Sequence, residues 1–314
     1  MTPPPLKIAV LAGGPSCERE ISLLSGGAVL DALVSKGHSA QLLDPLGDFI
    51  PELRALGASF VFIALHGLFG EDGTVQRLLE KEGIPYTGSG PAASEIAFDK
   101  ARAQSLFRRR GIRAPDFQIF KRNERAPAER LAVPCVVKPA MAGSSVGISL
   151  VFEESHAQQA LDEAFRYSDT VLVERYVSGR ELTVGILGDE VLPIVEVIPK
   201  RTFYDYEAKY GDSGTRYEAP ARLEEETASE VRQAALEAYR ALGCEVFARA
   251  DVMLSKEDGK PYMLEVNTIP GLTGKSLLPK AAKASGVDFP GLCVRILELS
   301  MSRIENGQAF KIQN

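Results

Sequence analysis

The chain has 314 residues, 45% of them apolar and 25% charged, with a formal net charge of -6 and a pI near 5.4. That is ordinary globular composition, long enough for two or three domains, and the acidic balance excludes a nucleic-acid binder driven by global charge. The four scattered cysteines (Cys17, Cys135, Cys244, Cys293) have no metal-ligand spacing, the start MTPPPLK has no charged segment followed by an apolar run, and no stretch reaches the ~18 apolar residues of a membrane span, so a reduced cytoplasmic protein without a membrane segment is expected.

The first elements alternate. KIAVLA (7–12) reads as a strand stopped by Gly13 and Gly14, and 22–36 has helical periodicity. FVFIAL (60–65) is a continuous apolar run, as in a strand buried on both faces, and 74–82 is a helix closed by Gly83. Alternation of this kind predicts a parallel sheet with crossover helices, whose ligands lie at the carboxyl edge of the strands. The loop there, AGGPSCERE, is not a GxGxxG fingerprint. Its Glu18 and Glu20 either complement the dipole of the following helix or serve a site.

TGSGP (87–91) is a turn-rich joint, followed by a predicted helix over 94–109 that carries Lys100 and ends in Arg108, Arg109 and Arg110. Cations there complement a helix C-terminus. Strands are expected at 134–138, 171–177, 181–187 and 191–198, the last two joined by a Gly188-Asp189 turn, so the character becomes antiparallel after about residue 100. A helix over 225–242, a hairpin around Asp258-Gly259 and a helix over 292–304 complete the chain. The expected division is 1–98, 99–183 and 184–314.

Three constellations carry chemistry. In VVKPAMAGSSVG (136–147) a strand delivers Lys138 into a Gly/Ser loop whose exposed N–H groups suit phosphate oxygens; the spacing is not that of a Walker A loop. In FARADVMLSKEDGKPYMLEVNTIPG, Arg249 and Asp251 share one strand face, and Glu265 and Asn267 share another, with Leu264 and Val266 opposite. If these faces coincide, three oxygen ligands meet, which suits Mg²⁺. A two-residue turn at Asp258-Gly259 would set Asp251 against Val266; a three-residue loop, 257–259, sets it against Glu265, so the metal reading requires the odd loop. Third, VLVERYV ends near Ser178-Gly179 and Glu181, a strand end able to meet a base through its backbone and ribose through a carboxylate.

In this order the pieces resemble the ATP-grasp superfamily and, within it, the D-alanine–D-alanine ligase family. The shared stretches are GGPSCEREISLLSG, IALHGLFGEDGTVQ, PYTGSG, the lysine loop with GSSVG, FYDYEAKY and EVNTIPGLT, over essentially the whole chain. The resemblance implies an α/β protein: an N-terminal parallel-sheet domain followed by a two-lobed ATP-grasp fold. It implies ATP-dependent joining of two D-alanines through an acyl phosphate, in peptidoglycan precursor synthesis, by a cytoplasmic homodimer. ATP would be held by Lys100, Lys138, Ser144, Ser145 and Val146, with adenine at Glu174, Arg175, Tyr176 and Val177 and ribose on Glu181. Two Mg²⁺ or Mn²⁺ ions would sit on Asp251, Glu265 and Asn267. Glu18 would grip the first ammonium, Arg249 and the backbone near Gly271 the oxyanion, His66 the first subsite, and Ser276 with Leu277 the second carboxylate.

FYDYEAKYGD (203–212) holds three of the nine tyrosines among charges and follows neither strand nor helix period. With the resemblance it becomes a lid, in which Lys209 reaches phosphate oxygens and Tyr210 joins Ser144 and Glu18. The nearest alternative is a related ligase that accepts D-lactate or D-serine; Tyr210 favours an amine acceptor. A regulatory nucleotide-binding module would be expected to lack the metal residues or Arg249, and a Rossmann oxidoreductase would need the glycine fingerprint.

Overall fold

The computed structural model describes residues 6–122, 132–199 and 214–305. Strands β1 (Lys7–Leu11), β2 (Ser39–Leu43) and β3 (Phe60–Ile63) form a parallel sheet in the order β2-β1-β3, with helix Arg19–Ser35 crossing between β1 and β2. The helix begins at Arg19, three residues before the expected 22, so Glu18 is its N-terminal flanking residue. β2 and the short helix Ile50–Ala55 carry no strong sequence signal; β2 is largely exposed, with Leu43 alone of its five residues buried. The single helix expected over 94–109 is two, Pro91–Phe98 and Lys100–Arg109. Asp99 is extended and its carboxylate accepts from the N–H groups of Ala101 and Arg102, an N-cap that restarts the helix at Lys100.

β4 (Phe117–Lys121), β5 (Cys135–Pro139), β6 (Ser149–Val151) and β7 (Thr170–Arg175) make an antiparallel sheet ordered β4-β7-β5-β6, backed by helix Ala157–Ala164. The largest sheet contains β8 (Gly179–Leu187), β9 (Glu190–Val191), β10 (Val195–Ile198), β11 (Arg216–Glu218), β12 (Phe247–Ser255) and β13 (Pro261–Asn267), along the path β11-β10-β8-β12-β13 with β9 on β8. The strand expected over 191–198 is broken between β9 and β10 at Pro193, which has no N–H for a ladder.

The two faces of this sheet divide the labour. Leu182, Val184, Ala250, Val252, Met263 and Val266 point into a core shared with helix Glu225–Ala241 and helix Lys100–Arg109. A second core joins the chain's two ends: Ile8, Val10, Phe62, Val29 and Leu33 pack with Leu278, Leu292, Ile296 and Leu297 of helices Leu277–Ala284 and Phe289–Glu305. That union brings the loop after β1 against residues 269–277 and so builds the site.

The β12–β13 hairpin corrects the expected turn. Ser255 N donates to Lys260 O (3.0 Å), so the loop is the four residues 256–259, an even number. Continued regularly, that register would place Asp251 opposite Leu264 and turn Glu265 inward. Instead the register shifts between Asp251 and Val252: Val252 faces Met263 while Asp251 faces Glu265, leaving Leu264 as the extra residue of a β-bulge. Asp251 therefore meets Glu265, as the metal reading required, by a different route. Leu264 does not share the face of Val266 as alternation predicted; it lies beside Glu265 in the cleft wall.

Candidate active site

The open face of the large sheet presents two rows. In one, Thr183, Asp251 and Glu265 stand in register across β8, β12 and β13; in the next, Gly185, Arg249 and Asn267 do. Thr183 Oγ1 donates to Asp251 Oδ1 (2.8 Å), and Arg249 donates through Nε to Oδ1 (2.9 Å) and through a terminal nitrogen to Oδ2 (2.7 Å). Asn267 Nδ2 donates to Asp251 Oδ2 (3.1 Å), which leaves its Oδ1 as the atom to offer a cation. The donor set Asp251, Glu265 and Asn267 is all oxygen, which suits a hard divalent ion. Among the described residues no group of three or more His, Cys, Asp or Glu forms a cage, so such an ion would depend on phosphates and water for the rest of its shell.

These rows separate two cavities. One, of about 420 Å³, runs from Lys138 and Glu174 past Tyr176 and Val177 to Glu181, with Met253 and Leu264 as apolar walls. The other, of about 300 Å³, runs from Glu18 and His66 past Arg249 to Gly271, Ser276 and Leu277. Asp251, Glu265 and Glu181 line both, and the Gly/Ser loop reaches both, Ser145 lining the first and Gly143 with Ser144 the second. Both volumes are of small-molecule size.

On the first cavity, Lys138 Nζ lies 2.6 Å from Glu174 Oε1 in an ion pair, both side chains nearly buried. Burial raises the Glu174 carboxyl above its ordinary range, and Lys138 opposes the shift. Glu174 thus aims Lys138. The Arg175 guanidinium turns to Glu257 (3.5 Å) and the ring of Tyr262 (5.3 Å), leaving its backbone to face the cavity. Lys100 Nζ donates to Ala142 O (2.7 Å) and lies 3.4 Å from Glu265 Oε2. In the Gly/Ser loop Ser144 and Ser145 are left-handed (φ 50 and 60), a strained backbone of the kind found at ligand clamps. The Val146 N–H is committed to Gly143 O within the loop (3.1 Å).

On the second cavity, the buried Glu18 accepts a short hydrogen bond from Ser144 Oγ. A Cβ at Gly143 would stand 2.2 Å from Glu18 Oε2, and one at Gly67 (φ +73) 2.6 Å from the same oxygen, so both positions need glycine for the carboxylate to enter. His66 is buried with Nε2 2.8 Å from Ser25 Oγ; burial first and Arg249 next lower its pKa to about 4, so the ring is neutral. Glu71 accepts from Gly67 N (2.8 Å); burial first and Glu18 second raise its pKa to about 8. Ser276 precedes helix Leu277–Ala284, its Oγ accepts from Thr273 N (3.1 Å), and Gly271 lies against it.

The structure thus gathers the predicted residues at one junction, apart from Lys209 and Tyr210, which lie outside the described residues. It adds Ser25, Glu71, Thr183 and Leu264. Glu71 lies in the run GEDGTVQ, where its neighbours do not set it apart; Thr183 follows from register alone, and neither Ser25 nor Leu264 has a sequence signal.

The family model for the D-ala D-ala ligase C-terminus matches residues 106–298, and that for the N-terminus residues 51–89. The D-alanine–D-alanine ligase of Citrifermentans bemidjiense is 47% identical over 298 residues, covering 95% of this chain and 97% of the relative. That of Methylacidiphilum infernorum is 46% identical over 299 residues, with 95% and 97% covered. The crystal structure of the Bacillus anthracis D-alanine–D-alanine ligase superposes with a TM-score of 0.87 at 36% identity, covering 96% of this chain and 99% of that one. The structure of the Bacillus anthracis ligase complexed with ATP gives 0.84 at 33% identity, with 96% and 99% covered. With its parallel-sheet N-terminal part and its two antiparallel sheets in the ATP-grasp arrangement, the chain belongs to the D-alanine–D-alanine ligase family.

Proposed function

We propose that the chain joins two D-alanines into D-alanyl-D-alanine, converting ATP to ADP and phosphate and supplying a peptidoglycan precursor. The observation that carries this reading is the wall of Asp251 and Glu265 common to both cavities, which sets an ATP-sized space against a small amino-acid space. Adenine lies along the backbone of 174–177 between Met253 and Leu264, ribose on Glu181, and the phosphates toward Lys138, Lys100 and the loop Ser144, Ser145 and Val146. A divalent ion, or a pair, held by Asp251, Glu265 and Asn267 would neutralise phosphate charge.

The first D-alanine has its ammonium on Glu18 and its carboxylate toward the shared wall, beside neutral His66. A carboxylate is a poor electrophile; a carboxylate oxygen attacks the γ-phosphorus, ADP leaves, and an acyl phosphate results. The second D-alanine is held by its carboxylate at Ser276 and the backbone of Leu277, where a helix N-terminus favours an anion. Its neutral amine attacks the acyl carbon, the carbonyl electrons move to oxygen, and as that species collapses the nitrogen passes its extra proton to the departing phosphate and the peptide bond is left. Arg249 and the N–H of Gly271 face the developing oxyanion, and Arg249 is held for that task by its fork on Asp251. A homodimer in the cytoplasm is the working unit this reading takes, checked by sedimentation.

Phosphate release from ATP, measured with D-alanine against L-alanine and with the product identified, tests the function. D-alanine-dependent turnover yielding the dipeptide is expected; ATP turnover indifferent to D-alanine would refute it.

A further inference from the structure

The bulge that turns Leu264 and Glu265 into the cleft has its own anchor. β13 is an edge strand, and a bulge leaves backbone groups without ladder partners. Helix Lys100–Arg109 lies along that edge, and Gln104 is one turn on from Lys100, on the same helix face. The Gln104 side chain is 0% exposed, and its Nε2 donates to Leu264 O (2.8 Å) and Met263 O (3.3 Å), the bulged residue and the one before it. Met263 N in turn donates to Arg113 O (2.8 Å). The same helix holds Lys100 Nζ 3.4 Å from Glu265 Oε2, so the helix grips the strand on both sides of the kink.

We propose that Gln104 is a positioning residue for the nucleotide–metal end of the site: its amide fixes which residue of β13 is the extra one, and so keeps Glu265 across from Asp251. If the bulge closes, every side chain beyond it changes face and Glu265 turns toward the core that now receives Val266; if it moves on by one residue, Asp251 faces Leu264 and Glu265 becomes the unpaired residue. Gln104 touches neither cavity and acts only through the strand. Among the described residues its Oε1 has no hydrogen-bond partner, so the position uses donors and not the acceptor. This inference rests on the metal assignment made under the proposed function.

The test is Mn²⁺ binding in the presence of a non-hydrolysable ATP analogue, read from the free-ion EPR signal, together with KM values. Gln104→Met, of similar length and without donors, is expected to weaken Mn²⁺ binding about tenfold or more and to raise KM for ATP, while KM for D-alanine stays put. Gln104→Lys, which keeps donors and drops the acceptor, is expected to recover most of the affinity. If Gln104→Met does not fold, Gln104→Asn, with the amide drawn back by one methylene, gives the same comparison. A folded variant lacking the contact but binding Mn²⁺ within about twofold of the parent would overturn the proposal, whatever its melting temperature. So would a Gln104→Lys protein as weak as Gln104→Met. A parent chain that binds no Mn²⁺ with the analogue would instead remove the metal assignment, and this inference with it.

Discussion

The hairpin between β8 and β9 turns on two residues, Gly188 and Asp189, with Leu187 opposite Glu190. Gly188 has φ 65, the left-handed conformation such a turn needs, and the dipeptide that announces the turn also sets its register. The hairpin between β12 and β13 carries an equally plain signal at Asp258-Gly259, yet its register at the site is not the one its loop dictates. The loop is even, and a bulge at Leu264 restores the facing of Asp251 and Glu265. A turn fixes register only as far as the next irregularity. Where that irregularity is held by side chains from another element, here Gln104 with the backbone of Arg113, local sequence does not report it.

The contrast can be broken at both hairpins. Glu265→Gln, in the bulged strand, should lower kcat by about 10²-fold or more with little change in melting temperature, since the side chain faces the cleft. Phosphate release per folded molecule measures this, and near-parental kcat would remove Glu265 from the site. Deleting Leu264 gives a regular ladder that still sets Asp251 against Glu265, because only the extra residue is lost. What disappears is an apolar wall of the nucleotide cavity, so KM for ATP should rise about tenfold while Mn²⁺ affinity is largely kept. A collapse of Mn²⁺ affinity would mean that the bulge serves the metal directly.

At the other hairpin the effect is on stability alone. Gly188→Ala places a Cβ on a left-handed residue, at a cost of about 1–2 kcal/mol, and should lower the melting temperature without altering either KM. A changed KM would show that the two hairpins are not independent.

The smallest effect is a slope. Folded Glu71 keeps its proton up to about pH 8, while the unfolded carboxyl releases it near 4.5. Between those values the folded chain binds more protons, so this group's contribution to stability falls as pH rises. His66 works the other way: its folded pKa of about 4 lies below the ordinary 6.5, so its contribution is lost as pH falls through that lower window. From about pH 6.5 to 8 the His66 contribution is complete while the Glu71 slope persists. Melting temperatures over that interval should decline less for Glu71→Gln than for the parent, and equal declines would place the titration elsewhere.

Much of the fold lay in the sequence. The helix over 225–241 and the apolar runs of β1 and β3 were legible because one side chain after another repeats a simple period. β2 was not, because at the sheet's edge it buries little and carries no alternation. Nor was the break at Asp99, where an N-cap interrupts what reads as one periodic helix. Among the residues that line the two cavities or support them, those within motifs were legible and those defined by neighbours were not. Lys138, Arg249 and Asn267 stand in recognisable runs, whereas Ser25 and Thr183 are ordinary residues until Ser25 meets His66 and Thr183 meets Asp251.

The sequence by itself determined the chemistry on offer: two lysines and a Gly/Ser loop, three oxygen donors on one hairpin, an acid after the first strand and a serine before a late helix. Residue type and local period suffice for that, since both are properties of a few adjacent residues. Only the tertiary structure decided that these groups share one junction. The core joining the chain's two ends draws Glu18 and Ser276 to the same cavity, and the bulge under Gln104 turns Glu265 toward Asp251. Those are contacts between residues far apart in the chain, settled by packing volume and by which buried carbonyls find a donor.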